Sequence, residues 1–533
     1  MPVRRLHERG ALMAIVEPAI GRAARWRGAI VFGVMLGLFL GAMESTAVAT
    51  AMPTVIANLG GLAVYSWVFS GYILAATISM PLWGKAADLY GRRAAYLAGL
   101  AIFLGGSILS GFATSMTGLI VFRTIQGVGG GALIPIGYTI IADIYGLERR
   151  AKMQGYFSSV WGIASIVGPL IGGFLTDHVS WRWVFFVNVP FGLLAGAVLG
   201  WALGGLDRPR ARVTVDLGGA GLLTAGMAAL LVALVEGGRG GVGLDPAHGA
   251  LLGLAALLLA AFVVWERRVP EPLLPLRLFA NRMFRAAAVS GFFAGMAMFG
   301  TISFIPLFVQ GVLGGTATEA GTALTPFVLG WVTFSVISAR LLLRVGYRWP
   351  VLTGMVCLAL AFLLMSHMGL GTTRSVTGRN MLLAGMGMGL VMVPLLIAVQ
   401  NAVQKRDLGA ATSATTFFRS IGGAVGVAVM GAVLSYELAG ELRRLGAAAG
   451  GLSPAEVQAL IAHPDAVVHP ALRLALPPPV LAAFSQALAN ALHAVFLVGL
   501  GIACLALASA FLVPSGRAQD LALEENRAAG SPS

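Results

Sequence analysis

The chain has 533 residues, 58% of them apolar and only 11% charged, with a mean hydropathy of +0.86. That composition lies far outside soluble globular usage and places the sequence among polytopic membrane proteins. The net charge of +14 would suit a nucleic-acid binder, but the positions of the charges along the chain point to a membrane instead.

A helix that crosses hydrocarbon needs about 20 mostly apolar residues. Fourteen such spans are predicted, at 29–57, 65–83, 95–114, 117–141, 153–177, 182–203, 216–236, 248–265, 286–314, 318–343, 350–369, 377–403, 408–435 and 485–513. The expected fold class is therefore an all-α polytopic membrane protein. Residues 1–28 form a basic tail: their one apolar run, ALMAIV, is short and is followed by Glu17, Arg22, Arg25 and Arg27, which does not fit a cleaved signal peptide. With the N-terminus assigned to the cytoplasm, 27 of the 36 Lys and Arg residues fall in cytoplasmic segments, 7 outside and 2 within spans. This asymmetry predicts that both termini are cytoplasmic.

Self-similarity divides the chain. A shift of 255 residues carries Gly91, Arg93, Leu97 and Gly99 onto Gly346, Arg348, Leu352 and Gly354. A shift of 258 carries Gly127, Gly129 and Gly131 onto Gly385, Gly387 and Gly389, and Gly168 and Gly173 onto Gly426 and Gly431. Two six-span halves, 29–205 and 284–515, are expected as parallel copies, with two additional spans and their linkers in 206–283. A loop at 436–484 on the outside, with a surface helix opened by SPAE at 453–456, and a cytoplasmic tail at 516–533 complete the layout.

Ionisable residues inside spans are costly and count as functional candidates. Here they are Glu44, Arg123, Arg419 and His493. Glu44 in span one is expected about 14 to 18 Å below the outer end of its helix, and Arg123 in span four about 9 to 12 Å, so the two lie at compatible depths. Desolvation and a neighbouring guanidinium act in opposite directions on a carboxyl, so Glu44 beside Arg123 is a candidate proton carrier; a static pair that tethers two helices is the alternative. For Arg419, attraction of an anion and tethering of the second half both stay open, whereas His493 reads as a packing residue. The run RTIQGVGGGA at 123–132 sets Arg123, Gln126, Gly127, Gly130 and Gly131 on neighbouring helix faces. Its glycines allow close approach of another helix. No strand precedes them and no phosphate-binding GxxxxGK[ST] occurs, so nucleotide-driven transport is unsupported. Cys357 and Cys504 stand alone in apolar runs, and neither a metal-spaced cluster nor an enzyme's nucleophile constellation is visible.

Four stretches resemble the fourteen-span drug:proton antiporters of the major facilitator superfamily. The loop GKAADLYGRR carries Gly84, Asp88, Gly91, Arg92 and Arg93; span four carries Arg123, Gln126 and Gly127; span five carries Gly162, Gly168, Pro169, Gly172 and Gly173; and MESTAVATAMPTV at 43–55 matches the span-one motif, with Glu44 where the family has Asp. The resemblance implies the major facilitator fold and alternation between inward-open and outward-open states. It also implies a proton gradient as the only drive, with no cofactor, and a cavity in which drug and proton compete. Glu44 and Arg123 would couple the proton. In the loop, Asp88 would meet the start of a helix near Leu408 to Ala410 while Arg92 or Arg93 pairs with Asp143, latching the cytoplasmic side. Met43, Trp67, Tyr72, Gln126, Trp161, Phe299, Met392, Phe418 and Arg419 are cavity candidates. The expected function is proton-coupled export of amphipathic compounds, cations among them, by a monomer in the plasma membrane, of the bacterial inner-membrane type. Expected partners are the small molecule, protons and the lipid bilayer, without nucleic acid or metal. A nutrient symporter or facilitator and a lipid-handling membrane protein are the competing readings.

Overall fold

The computed structural model describes residues 3–145, 147–204, 216–240, 246–270, 272–274, 276–403, 408–447 and 478–515. All regular elements among them are helical. The first half comprises α1 (Val3–Leu59), α2 (Tyr65–Tyr90), α3 (Arg92–Gly111), α4 (Met116–Ile144), α5 (Leu147–His178) and a crossing made of the short α6 (Trp183–Phe186) and α7 (Asn188–Ala202). A hairpin of α8 (Leu217–Gly240) and α9 (Pro246–Glu266) follows. The second half comprises α10 (Arg282–Leu307), which runs into a π-helical turn at Phe308–Val312, then α11 (Ala317–Val345), α12 (Arg348–Ser366), α13 (Arg374–Ala402), α14 (Leu408–Ala447) and α15 (Pro478–Ala510). The predicted helix at SPAE and the tail at 516–533 lie outside the described residues, as does most of the linker at 207–216.

By length and composition, thirteen described helices are able to cross a membrane. The fourteenth expected span corresponds to α2, whose 26 residues are long enough but mix Tyr65, Ser66, Ser70, Thr77 and Ser79 with the apolar ones. Its setting accounts for the polarity. The helix packs against both α4 and α14. Ser79 Oγ donates to the Val128 carbonyl at 3.0 Å, Ser70 Oγ to the Ala424 carbonyl at 2.9 Å, and the Tyr65 hydroxyl to the Ser303 carbonyl. Hydroxyls satisfied by neighbouring helices do not have to face lipid.

The internal repeat is visible in the packing. A Cβ on Gly127 would stand 2.5 Å from the Tyr72 carbonyl oxygen, and one on Gly129 equally close to that of Gly99. In the second half, Gly385 faces the Phe327 carbonyl and a Cβ on Gly387 would stand 2.6 Å from the Gly354 oxygen. Tyr72 and Gly99 map onto Phe327 and Gly354 by the same shift of 255 read in the sequence. Thus α4 sits on α2 and α3 as α13 sits on α11 and α12, backbone against backbone. The seams between the halves follow the same pairing: Gly173 of α5 abuts Thr318 of α11, and Gly431 of α14 abuts Ser66 of α2.

Between the halves lies the α8–α9 hairpin, with α8 against α14 and α2. Asp216 caps α8 through Oδ1, which accepts from the Gly219 N–H at 2.8 Å and from Trp265 Nε1 at 2.8 Å. Burial alone would push this carboxyl up, but those donors, the contact with Glu266 and the charge of Lys85 hold it below the usual carboxylate range. The apolar face of α9, with Leu257 66% exposed, has the composition of a lipid-facing surface.

Both repeat-related turns need a glycine. Gly91 has φ 92° and ψ 154° between α2 and α3, and Gly346 has φ 80° and ψ −173° between α11 and α12, a region essentially closed to other residues. Gly91→Ala and Gly346→Ala are each expected to destabilise by about 1–3 kcal/mol. Gly84→Ala, where an added Cβ meets nothing within 4 Å, is expected to be neutral. Melting temperatures in detergent check the contrast.

Candidate functional site

The polar centre of the first half is a buried cluster on α1, α3, α4 and α7. Glu44 and Arg123 are each 1% exposed. Arg123 Nη1 donates to Glu44 Oε1 and, at 2.8 Å, to Gln126 Oε1. Asn188 Nδ2 donates to Glu44 Oε2 and, at 3.0 Å, to Ser107 Oγ, whose own hydroxyl donates to the Phe185 carbonyl at 2.8 Å. The guanidinium also lies 4.2 Å from the centre of the Tyr72 ring. The three-residue step from Arg123 to Gln126 puts both on the face of α4 that meets α1, and the break at Val187 between α6 and α7 makes Asn188 the first residue of α7. Two acceptor oxygens facing two separate donors fix the carboxylate in one orientation.

The structure thus brings Glu44, Arg123 and Gln126 together and adds Asn188 and Ser107. The signal for Asn188 was present in WRWVFFVNVP: one amide in an otherwise apolar run at the level of the membrane core. The flanking Trp181 and Trp183 have the pattern of an interfacial anchor, which masks the amide's signal.

The glycines of α5 form a track for α1 and α11. Gly168 faces Met43 and Thr46, a Cβ on Gly172 would stand 2.5 Å from the Ala47 carbonyl oxygen, and the Pro169 carbonyl lies against Gly321 of α11. At the end of that track Asp177 caps α11 from the other half: Oδ1 accepts from the Ala317 N–H at 3.0 Å and Oδ2 from the Thr318 N–H at 2.8 Å. Nearby, Gln310 Nε2 donates to the Thr50 carbonyl at 2.8 Å. These links tie the halves together at the end of the bundle where α1 leads into α2. Gly162, farther along α5, faces Val332.

At the opposite end, Arg92 Nε pairs with Asp143 Oδ2 at 3.1 Å, and Arg92 Nη1 donates to the Ala87 carbonyl at 2.8 Å. This pair joins α3 to α4 within one half. The side chain of Asp88 lies outside the described residues, and so does its expected contact with the start of α14.

Of the cavity candidates, Met43 and Gln126 are fully buried in this conformation, and Tyr72 is 8% exposed. Trp67, Trp161, Phe299, Met392, Phe418 and Arg419 are half-buried. Arg419 reaches Met392 Sδ with Nη1 at 3.7 Å. His493 Nδ1 meets the Ser366 carbonyl, a contact that suits a packing role.

Comparison with known proteins agrees with this architecture. The Major Facilitator Superfamily pattern matches residues 34–427. The chain is 39% identical over 414 residues to Multidrug transporter protein MdtP of Bacillus subtilis, covering 77% of this chain and 75% of that one. It is 35% identical over 475 residues to Multidrug resistance protein 3 of the same organism, covering 88% and 92%. Among solved structures, a bacterial homologue of the human lysosomal transporter Spinster, in its inward-facing and unoccupied conformation, superposes with a TM-score of 0.63 at 17% identity, over 92% of this chain and 98% of that one. The chain belongs to the major facilitator superfamily, and its relatives include proteins named as multidrug transporters and efflux pumps.

Proposed function

We propose that the protein is a proton-coupled antiporter that exports amphipathic small molecules from the cytoplasm by alternating access. The observation that carries this reading is the buried carboxylate of Glu44, held by one guanidinium and one amide at the meeting of α1, α4 and α7. A carboxylate in that position takes up a proton without leaving a net charge of its own, and its protonation releases Arg123 from its only carboxylate partner among the described residues. Each half-cycle then alters the forces between α1 and α4. Because α1 also runs along the glycine track of α5, and α5 meets the second half, the change reaches the seam between the halves.

The charge count assigns the α1–α2 end to the outside and both termini to the cytoplasm of a bacterial plasma membrane. On that assignment the Asp177 cap and the Gln310 bond close the outer side, and the Arg92–Asp143 pair belongs to the cytoplasmic side. The Asp88 loop would provide the opposing cytoplasmic latch when the cavity opens outward. Six helices per half form a complete pathway, so the working unit is a monomer, and the proton gradient is its only drive.

In proteoliposomes with an imposed pH gradient, the wild-type protein should move an amphipathic dye against proton flux. Glu44→Gln should reduce that exchange about a hundredfold or more, as loss of an essential proton carrier does, while dye binding at equilibrium changes by only a few fold. Unreduced exchange in this variant refutes the coupling role, and dye accumulation with proton influx would assign import instead.

The outer closure gives a second expectation. Asp177→Asn keeps the side-chain shape but removes the charge from the N-terminus of α11, an interaction worth about 0.3–1 kcal/mol. The population open at the α1–α2 end should rise about two- to fivefold. The labelling rate of a cysteine placed at Thr54, with Cys357 and Cys504 replaced by Ala, reads it.

A further inference from the structure

Arg419 is the second guanidinium that the sequence places inside a span, and among the described residues no carboxylate pairs with it. On α14 the next acid is Glu437, 18 residues on and about 27 Å along the helix. Asp407 precedes Arg419 by 12 residues in the sequence. Across α10, α11, α12, α13 and α15 the only Asp or Glu is Glu319, in the first turn of α11 and paired with Arg374. From the first half, Glu44 is taken by Arg123 and Asn188, Asp143 pairs with Arg92, and Asp177 caps α11.

The surroundings of the guanidinium are those of a receptor for an amphipathic molecule. Its Nε has no partner, and Nη1 meets only the thioether of Met392 at 3.7 Å, a weak acceptor. The phenol of Tyr138, on α4 of the opposite half, lies within electrostatic reach. The helix that carries Arg419, α14, packs against α2 of the opposite half and so forms part of the seam. Phe418 stands beside it on α14, edge-on to Phe279 at 5.6 Å and to Phe417 at 5.5 Å. Arg419, Met392, Phe418 and Tyr138 are all half-buried, in contrast to the sealed Glu44–Arg123 pair.

We propose that Arg419 binds the anionic group of the transported compound, and that the substrates are amphipathic organic anions, carboxylates or sulfonates on an apolar body. An unpaired cation within a span is costly, and a bound anion removes that cost while gaining a charge-assisted, bidentate contact. The apolar body rests on the Met and Phe surfaces, which adapt to several shapes. The same excess positive charge repels organic cations, so the selectivity includes an element of exclusion. This rests on the export reading only in taking the bound molecule to be the one carried.

The test compares two ligands that share one apolar body, 1-pyrenebutyrate and 1-pyrenebutylammonium, binding to purified full-length protein in nonionic detergent without a pH gradient. Wild-type protein should bind the butyrate about tenfold or more tightly than the ammonium. Arg419→Gln and Arg419→Met should bring that ratio to about one, and Arg419→Lys should keep a reduced preference because it retains charge without the planar fork. Either neutral variant that is monodisperse and melts within a few degrees of wild type decides the matter. A wild-type protein that binds the ammonium as tightly as the butyrate, or a folded neutral variant that keeps the preference, overturns the proposal. Glu44→Gln should lose proton-driven exchange yet keep the anion preference. A wild-type protein that lacks the preference yet exchanges protons for dye refutes only the anion site, and a wild-type protein that keeps the preference without proton exchange refutes only the antiport reading.

Discussion

Helices in a bilayer gain nothing by hiding apolar side chains from one another, because lipid is as apolar as the side chains. What holds them is close approach and the polar contacts it permits. In this chain the approach is made by glycine. The rows on α4 and α13 let carbonyls of α2, α3, α11 and α12 come against the backbone, and Gly173 and Gly431 do the same between the halves. The seams formed at these two points join small surfaces without a rim of long side chains. Under the proposed function, such seams would separate and re-form with little rearrangement as the two ends open in turn.

The same lack of solvent governs the polar residues. In the Glu44 cluster both carboxylate oxygens are engaged, yet Arg123 Nε, Gln126 Nε2 and Asn188 Oδ1 are buried without partners. A network left with unused donors and an unused acceptor is poised between two arrangements. A proton on Glu44 turns an acceptor into a donor, and Asn188 Oδ1 is the acceptor available to receive it. Under the proposed function the amide would serve either protonation state by rotating, and Ser107 on α3 would register the change through its shared bond.

Much of this was legible in the sequence, for physical reasons that differ from place to place. Long apolar runs have few alternatives to a membrane helix, so each span has a helix at its place, although α1 begins as early as Val3 and α14 runs to Ala447, into the segment expected as a loop, and the glycine register disclosed the repeat because glycine marks backbone contact. The depth of Glu44 and Arg123 followed from helical rise alone. Asn188 was not picked out, since its role depends on the break at Val187 that turns the start of α7 into the core, and no local pattern announces which direction an amide faces. The Asp177 cap on α11 was equally hidden: an acid at a helix end looks like any solvated terminus until the partner helix, 140 residues away, is placed above it. The low hydropathy of α2 likewise made sense only once α4 and α14 were seen to take up its hydroxyls.

The repeat also explains why the two halves need not do the same work. Applying the register of the packed glycines, Arg123 and Gln126 correspond to Met381 and Ala384, while Arg419 corresponds to Trp161. Gly168 lies against Met43 as Gly426 lies against Met296, so Glu44 corresponds to Ala297. Met381, Ala384 and Ala297 are fully buried and apolar. One scaffold therefore carries a sealed acid and its partners in the first copy and ordinary packing in the second, whereas the half-buried position on the seam helix holds an indole in one copy and a guanidinium in the other. Under the proposed function, this arrangement keeps the proton site and the ligand anchor apart. Proton and ligand then act on each other through the charge balance of the core and the movement of the seam rather than by displacing one another from a shared group. An anion brought to Arg419 and a proton brought to Glu44 each change that balance by one unit, in opposite directions, so the intramembrane charge passes from one unit positive when both are absent, through neutral with the anion alone, to two units positive with the proton alone. The last is the most costly state in hydrocarbon. Disfavouring it raises the affinity of Glu44 for a proton when an anion sits at Arg419, so the charge balance by itself favours joint occupancy, and under the proposed function exchange in opposite directions has to come from the movement of the seam.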